Sequence, residues 1–270
     1  RMGNDFRLKQ FAKVDAAADT SDYIRALEAF DGIEQLQELK ALARERGGFR
    51  PGASLLDVGC GFGLETLRLA KEAEGRGVIA GIDLSQDFIE LARQQASEQG
   101  LKIDFRVGDA LSLPYPDAQF DCVRAERLLI YLQDVSAALK EMLRVLKPGG
   151  RLALIEPDFL AMDINLPNRA VVRRVIDHEA DTAVVHNWLP GQLVSLLPDL
   201  GFSNVQIASR VLIFPQDLGS SYFESVAENA AKAGAINSGE LKEWMASLKE
   251  RAQAQRLFAT IAYFLFTARA

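Results

Sequence analysis

The sequence predicts a doubly wound α/β fold, in which a mostly parallel sheet carries helices on both faces. Three observations support this. Short apolar runs alternate with amphipathic segments between residues 54 and 156, glycine-rich turns separate run from helix, and acidic residues collect where the runs end. Alternation of this kind returns each strand parallel to the last through a helical crossover. Ligands of such sheets bind at the carboxyl ends of the strands, where the strand order reverses.

The elements follow in order. Ile24, Leu27, Phe30, Ile33, Leu36, Leu39 and Leu42 recur at helical spacing, interrupted at Gly32, so one or two helices precede the sheet. Residues 47–52, GGFRPG, punctuate the entry into the first strand. Strands are expected over residues 54–58, 77–82, 103–107, 120–125 and 151–156, and helices over 64–72, 86–99 and 135–146. Ser85 stands at the cap position of the second of these helices. After Asp158 a loop and a charged helix are inserted up to residue 190, then come a helix over 192–200 and a strand over 203–214. A second, helical insertion spans 217 to about 254, and 257–268, LFATIAYFLFTA, reads as the last strand.

Composition excludes several classes. The 270 residues are 49% hydrophobic and 25% charged, which suits a globular protein with a large core. The net charge of −6 and the absence of a dense Lys/Arg run argue against nucleic acid as partner, with Arg169, Arg173 and Arg174 the densest basic stretch. No membrane-length apolar run or signal-peptide core is visible, so the cytoplasm is the expected location. Cys60 and Cys122 have no spacing for a metal site or a disulfide framework and read as reduced packing residues; no metal is expected.

The functional signal starts at LLDVGCGFG, an apolar run ending in Gly59, Gly61 and Gly63. Glycines there admit backbone angles closed to other residues and let a ligand approach main-chain N–H groups at a helix start. Twenty residues past Gly63, Asp83 ends the next strand, placed to accept hydrogen bonds from a ribose diol. A dinucleotide turn needs G-x-G-x-x-G, and its sixth position here is Leu64. Asp57, two residues before Gly59, would repel a phosphate and attract an ammonium group, so a ribose-bearing cation is the expected ligand.

The acid-x-Gly-x-Gly-x-Gly turn over residues 57–63, the Gly108-Asp109-Ala110 segment and LRVLKPGGRLALIEPD over 143–158 stand in the order found in class I S-adenosylmethionine-dependent methyltransferases. The chain resembles that family, in its small-molecule, UbiE-like (type 11) group, over roughly residues 51–158. The resemblance implies a Rossmann-like seven-stranded sheet with the last strand antiparallel and helical lid insertions. It divides the chain into N-terminal lid helices (1–50), a cofactor-binding core (51–158), a lid insertion (159–190), core (191–216), a second helical insertion (217–254) and a final core strand (255–270). It implies S-adenosyl-L-methionine as cofactor and in-line methyl transfer to a small organic acceptor at oxygen, nitrogen or carbon, mainly by positioning.

In that reading Asp57, Gly59, Cys60 and Gly61 hold the cofactor through the turn, Asp83 binds the ribose, and Leu84, Asp109 and Ala110 surround the adenine. Arg124 and Glu126 meet the methionine end, although Glu126 and Arg127 read equally well as an exposed ion pair, and Tyr23 closes over the cofactor or simply packs. Related sequences carry a histidine where Tyr131 stands, so Tyr131 is either a substrate contact or core. His178 and His186 are the only histidines and the candidate bases, set against a solvated charged face for His178 and a helix-end position for His186. Trp188 and Trp244 read as core more readily than as cavity walls. Two other function classes stay open, an NAD(P)-dependent oxidoreductase and a noncatalytic cofactor-binding module; oligomeric state is not written in these motifs.

Overall fold

The computed structural model describes residues 21–270, leaving aside the side chains of residues 21–23 and 26. Seven strands form one sheet: β1 (Leu55–Val58), β2 (Ile79–Asp83), β3 (Asp104–Val107), β4 (Phe120–Glu126), β5 (Leu146–Ile164), β6 (Ser203–Ile213) and β7 (Ala259–Arg269). Their order is β3-β2-β1-β4-β5-β7-β6. The pairs among β1 to β5 are parallel, and β7 is antiparallel to both β5 and β6. The order reverses between β1 and β4, and the carboxyl ends there form the floor of the site. All four residues of β1 are buried, as a central parallel strand covered on both faces requires.

Helices α1 (Ser21–Asp31) and α2 (Glu34–Arg46) break at Gly32 as their spacing predicts. Between the early strands lie α3 (Leu64–Glu72), α4 (Gln86–Glu98) and α5 (Val135–Val145). Ser85 Oγ accepts from Phe88 N at 3.1 Å, so Ser85 caps α4. The later helices are α6 (Arg169–Ala183), α7 (Leu189–Asp199), α8 (Gln216–Lys232) and α9 (Ser238–Gln253). A capping box between Asn237 and Glu240 starts α9.

Two expectations are corrected. Residues 158–164, expected as a loop, continue β5: past an irregularity in register, Asp163 and Ile164 pair with Thr260 and Ala259 of β7, and Phe159, Met162 and Ile164 are buried. The charged appearance of the segment hid this alternation. Helix α7 begins at Leu189, three residues earlier than expected, with Pro190 in the first turn, where its missing N–H costs nothing. Trp188 just before it is 56% exposed, whereas Trp244 is buried and donates from Nε1 to Phe223 O at 3.1 Å.

The insertion helices share the main core with the sheet. Val172, Val175 and Ile176 of α6 and Phe223 and Val226 of α8 are buried in the same cluster as Leu154 of β5 and Phe266 of β7. Within β5, fully buried Glu156 accepts at Oε1 from the amides of Leu128 (3.2 Å) and Leu129 (2.9 Å), while Oε2 has no hydrogen-bond partner among the described residues. Burial raises its carboxyl from 4.5 to about 8. An unfolded chain loses this proton near pH 4.5 and the folded one keeps it to about pH 8, so stability falls as pH rises through that window. Denaturant unfolding across pH 5 to 8 is expected to show a decline of up to about 1.4 kcal/mol per pH unit from this group, and Glu156→Gln to flatten it.

Candidate active site

Three glycines of the β1–α3 turn have left-handed φ, each in a different setting. A Cβ on Gly59 would lie 2.9 Å from Leu128, and one on Gly63 2.8 Å from Phe105, so these two permit packing against neighbouring elements. A Cβ on Gly61 would meet nothing within 4 Å, because it would project into open space beside the loop. The amides of Gly59 and Cys60 donate to Ile82 O (2.8 and 3.0 Å), Gly63 N to Cys60 O (3.0 Å) and Gly61 N to Asp83 Oδ2 (2.8 Å). At these four positions the turn therefore offers a ligand room, not the free N–H groups expected from its sequence.

The turn borders a cavity of about 230 Å³, several times the volume share of one water molecule. Asp57, Gly59, Cys60, Gly61, Asp83, Leu84, Asp109, Ala110, Arg124, Glu126 and Tyr131 all line it. Asp83 is fixed at the wall by Gly61 N and by Ser85 N, which donates to Oδ1 at 3.0 Å. Asp109 both lines the cavity and forms a turn, accepting from Leu111 N at 2.9 Å. The side chain of Tyr23 lies outside the described residues.

Beneath the turn is a buried ion network. Register sets Asp57 beside Arg124, and Arg124 and Glu126 share a face two residues apart on β4. Arg124 donates to Asp57 Oδ1 and to Glu126 Oε2, each at 2.8 Å, and Thr66 Oγ1 donates to Asp57 Oδ2 at 2.6 Å. Lys40 of α2 reaches Asp31 (2.6 Å), Glu126 (3.0 Å) and Glu65 (3.6 Å). Burial opposes ionisation of Glu126, but Lys40, Arg127 and Arg124 outweigh it and hold the carboxyl at about 2. Asp57, expected as a charged mouth of the turn, is 1% exposed with both oxygens engaged, so its charge is neutralised inside the network.

On the other side of the turn the cavity becomes aromatic. Phe30, Tyr131, Phe159, Phe214, Tyr222 and Tyr263 line it. Burial raises the phenols of Tyr131, Tyr222 and Tyr263 above their ordinary value, so all three are neutral donors near pH 7. Arg127 also lines this part, with φ +51°, a conformation costing a non-glycine residue about 1–2 kcal/mol. Its turn is held by Arg127 N donating to Ile155 O at 2.9 Å and by the amides bound to Glu156. Sequence reasoning had left Arg127 between two roles, and the positive φ that aims it inward has no sequence signal.

The structure places neither histidine in the lining. The His186 ring Nε2 lies 2.9 Å from Leu132 O, behind the wall, and its own amide binds Ile130 O. His178 lies on α6 beside Glu179, which is buried and accepts from Tyr222 Oη at 3.1 Å, so that stretch is not a wholly solvated face. Both cysteines are free thiols, and no cluster able to hold a metal ion occurs among the described residues.

Residues 56–154 match the family described as a methyltransferase domain. An uncharacterised 37.1 kDa protein in transposon TN4556 of Streptomyces fradiae is 31% identical over 94% of this chain and 72% of its own length. The demethylmenaquinone methyltransferase of Lactococcus lactis is 36% identical over 51% of this chain and 54% of its own, and the chain spans about half the length of the curated methyltransferases it matches. Among solved structures, the [4+2]-cyclase SpnF is 30% identical, with a TM-score of 0.55, covering 86% of this chain and 80% of that one. With the seven-stranded sheet, the glycine turn and Asp83 at one cavity, these likenesses make the chain a member of the S-adenosylmethionine-dependent methyltransferase family.

Proposed function

We propose that this protein transfers a methyl group from S-adenosyl-L-methionine to a small, largely apolar organic acceptor. One observation carries the reading: the glycine turn with Asp83 and the aromatic chamber are two parts of one continuous cavity. The residues fit the cofactor, since the space beside Gly61 is a cradle that any side chain would fill. Asp83 would hold the ribose, Leu84, Asp109 and Ala110 the adenine, and Gly59, Cys60 and Gly61 would give the cofactor room to lie close against the turn. Arg124, Glu126 and Lys40 would meet the methionine end, with Asp57 fixing Arg124. When bound, the cofactor supplies a methyl group already activated by a sulfonium. The protein then has to hold the acceptor in line and exclude water, which in the best cases lowers a barrier by about 7–11 kcal/mol.

Residues 21–50, 165–190 and 217–254 act in this reading as a cover over a core of 51–164, 191–216 and 255–270, for a reaction in the cytoplasm with no nucleic-acid partner; residues 1–20 of the expected N-terminal lid lie outside the described residues. No helix among the described residues is long and apolar enough to cross a membrane. A second reading, a cofactor-retaining protein that does not transfer its methyl group, draws on the 30% identity to a cyclase. It draws too on the cavity lining, where no histidine stands and Glu126 is engaged by three cations. Incubation with methyl-labelled cofactor and a metabolite extract separates the two: label in an extracted product supports transfer, and intact cofactor throughout supports the second.

Calorimetry with S-adenosylhomocysteine is expected to show Asp83→Ala weakening affinity more than tenfold; an unchanged constant would remove the ribose assignment. Gly61→Asn and Gly63→Ala should behave oppositely. Asn tolerates φ +54° and points into open space, so it should block binding with little loss of stability. Ala at 63 combines φ +84° with a clash on Phe105 and should cost about 2–4 kcal/mol in denaturant unfolding.

A further inference from the structure

We propose that Arg127 binds the acceptor as an oxyanion, and that the acceptor class is a planar, mainly apolar molecule carrying an acidic hydroxyl, a phenol or an enol. The inference rests on the reading of the cavity as a methyl-transfer site and specifies what enters its aromatic half.

Arg127 is the least compensated cation at the cavity. Arg124 is paired with Asp57 and Glu126, and Lys40 with Asp31, Glu65 and Glu126. Arg127 has one carboxylate contact, Nη2 to Glu126 Oε1 at 3.3 Å, and that carboxylate is already shared with both other cations. Its buried Nε has no hydrogen-bond partner among the described residues. Tyr263 Oη accepts a hydrogen bond from the guanidinium, and the other groups facing it are neutral Tyr131, Asp31 and the Phe30 ring, whose centroid lies 5.9 Å from Cζ. Glu156 across the turn is protonated near pH 7 and adds no compensating charge. The guanidinium lines the cavity with 18% of the side chain exposed, and its weak hydration suits that exposed part to pairing with an anionic acceptor, while Nε stays shut off from the cavity.

The walls select the rest of the molecule. Phe30, Phe159 and Phe214 offer ring faces and edges to a planar skeleton, and Ile130 and Ile261 line the same space. No histidine stands in the described lining, and Lys40 and Glu126 there are already engaged in the ion network. An acceptor acidic enough to ionise on Arg127 needs no base, because its proton leaves to solvent on binding. The oxyanion, or the carbon conjugated with it, then donates an electron pair to the methyl carbon. The carbon–sulfur bond breaks, its pair stays on sulfur, and a neutral methylated product and a neutral sulfide remain. The product has lost the charge that held it to Arg127, which favours its release.

The test reads the ionisation of a bound phenol by absorbance, without cofactor turnover. The probe is 4-nitrophenol, titrated with pH in excess protein, beside its non-ionisable methyl ether, 4-nitroanisole. The expected result is saturable binding, a pKa of bound 4-nitrophenol lowered by at least one unit, and at least tenfold weaker binding of the ether. Arg127→Gln should abolish the shift and Arg127→Lys restore part of it. Tyr263→Phe, which keeps the cation, should reduce the shift without removing it and serves if the arginine variants do not fold. Equal binding of phenol and ether, a shift that survives Arg127→Gln, or no saturable binding would overturn the proposal. S-adenosylhomocysteine calorimetry on the unaltered protein keeps the two readings apart: failure there sinks the cofactor assignment, while cofactor binding with no phenolate preference sinks only this one.

Discussion

The pairing of Asp57 with Arg124 across β1 and β4 is the constraint on which the rest of the site depends. Two charges with 10% or less of their side chains exposed are expensive to remove from water, and losing one partner typically costs about 3–5 kcal/mol. The parallel register leaves no choice of partner, because Asp57 and Arg124 are direct neighbours at the point where the strand order reverses. Glu126, two residues along, receives the other arm of the guanidinium and passes the network to Lys40. Through Lys40 and Asp31 the network ties α2 and the end of α1 to the sheet. Such networks add little net stability over an apolar core of the same shape, but any slip of the helix pair would strand a buried charge.

The cavity above this network divides along the sheet. Strands β1, β2 and β3 end in the glycine turn, Asp83 and Asp109, a polar half with an opening where a side chain is missing. The segments after β4 and β6, with β5, β7, α1 and α8, supply rings and one under-compensated guanidinium. One set of backbone ends thus presents two chemically different surfaces to a shared space, the arrangement a group transfer between unlike molecules needs.

Much of this was legible in the chain, and the failures have physical causes. Strand and helix alternation, the break at Gly32 and the Ser85 cap follow from periodicity and local hydrogen bonding, and the structure has them. Asp83, Asp109 and the glycines stand at strand ends, where topology alone brings them together. Asp57 was read as an exposed charge because its partner lies 67 residues away and only register joins them. The histidines were attractive by residue type, but the wall between His186 and the cavity is made by residues 130–132, which no spacing reveals. Arg127 was hidden for the opposite reason: its inward aim depends on a left-handed backbone fixed by Ile155 and Glu156.

The antiparallel strand has a consequence for biosynthesis. Among the described strands β6 pairs only with β7, and β7 separates it from β5. A ribosome-bound intermediate that has made residues 203–213 but not 259–269 holds β6 with no partner strand, while β1 to β5 already have theirs. Its outward side chains include Ile207, Val211 and Ile213, all partly solvent-facing even in the finished protein. Vectorial synthesis therefore passes through a stage with an adhesive, unsatisfied strand, and α2 and α7, which pack on β6 in the finished protein and precede it in the chain, are the elements available to shield it.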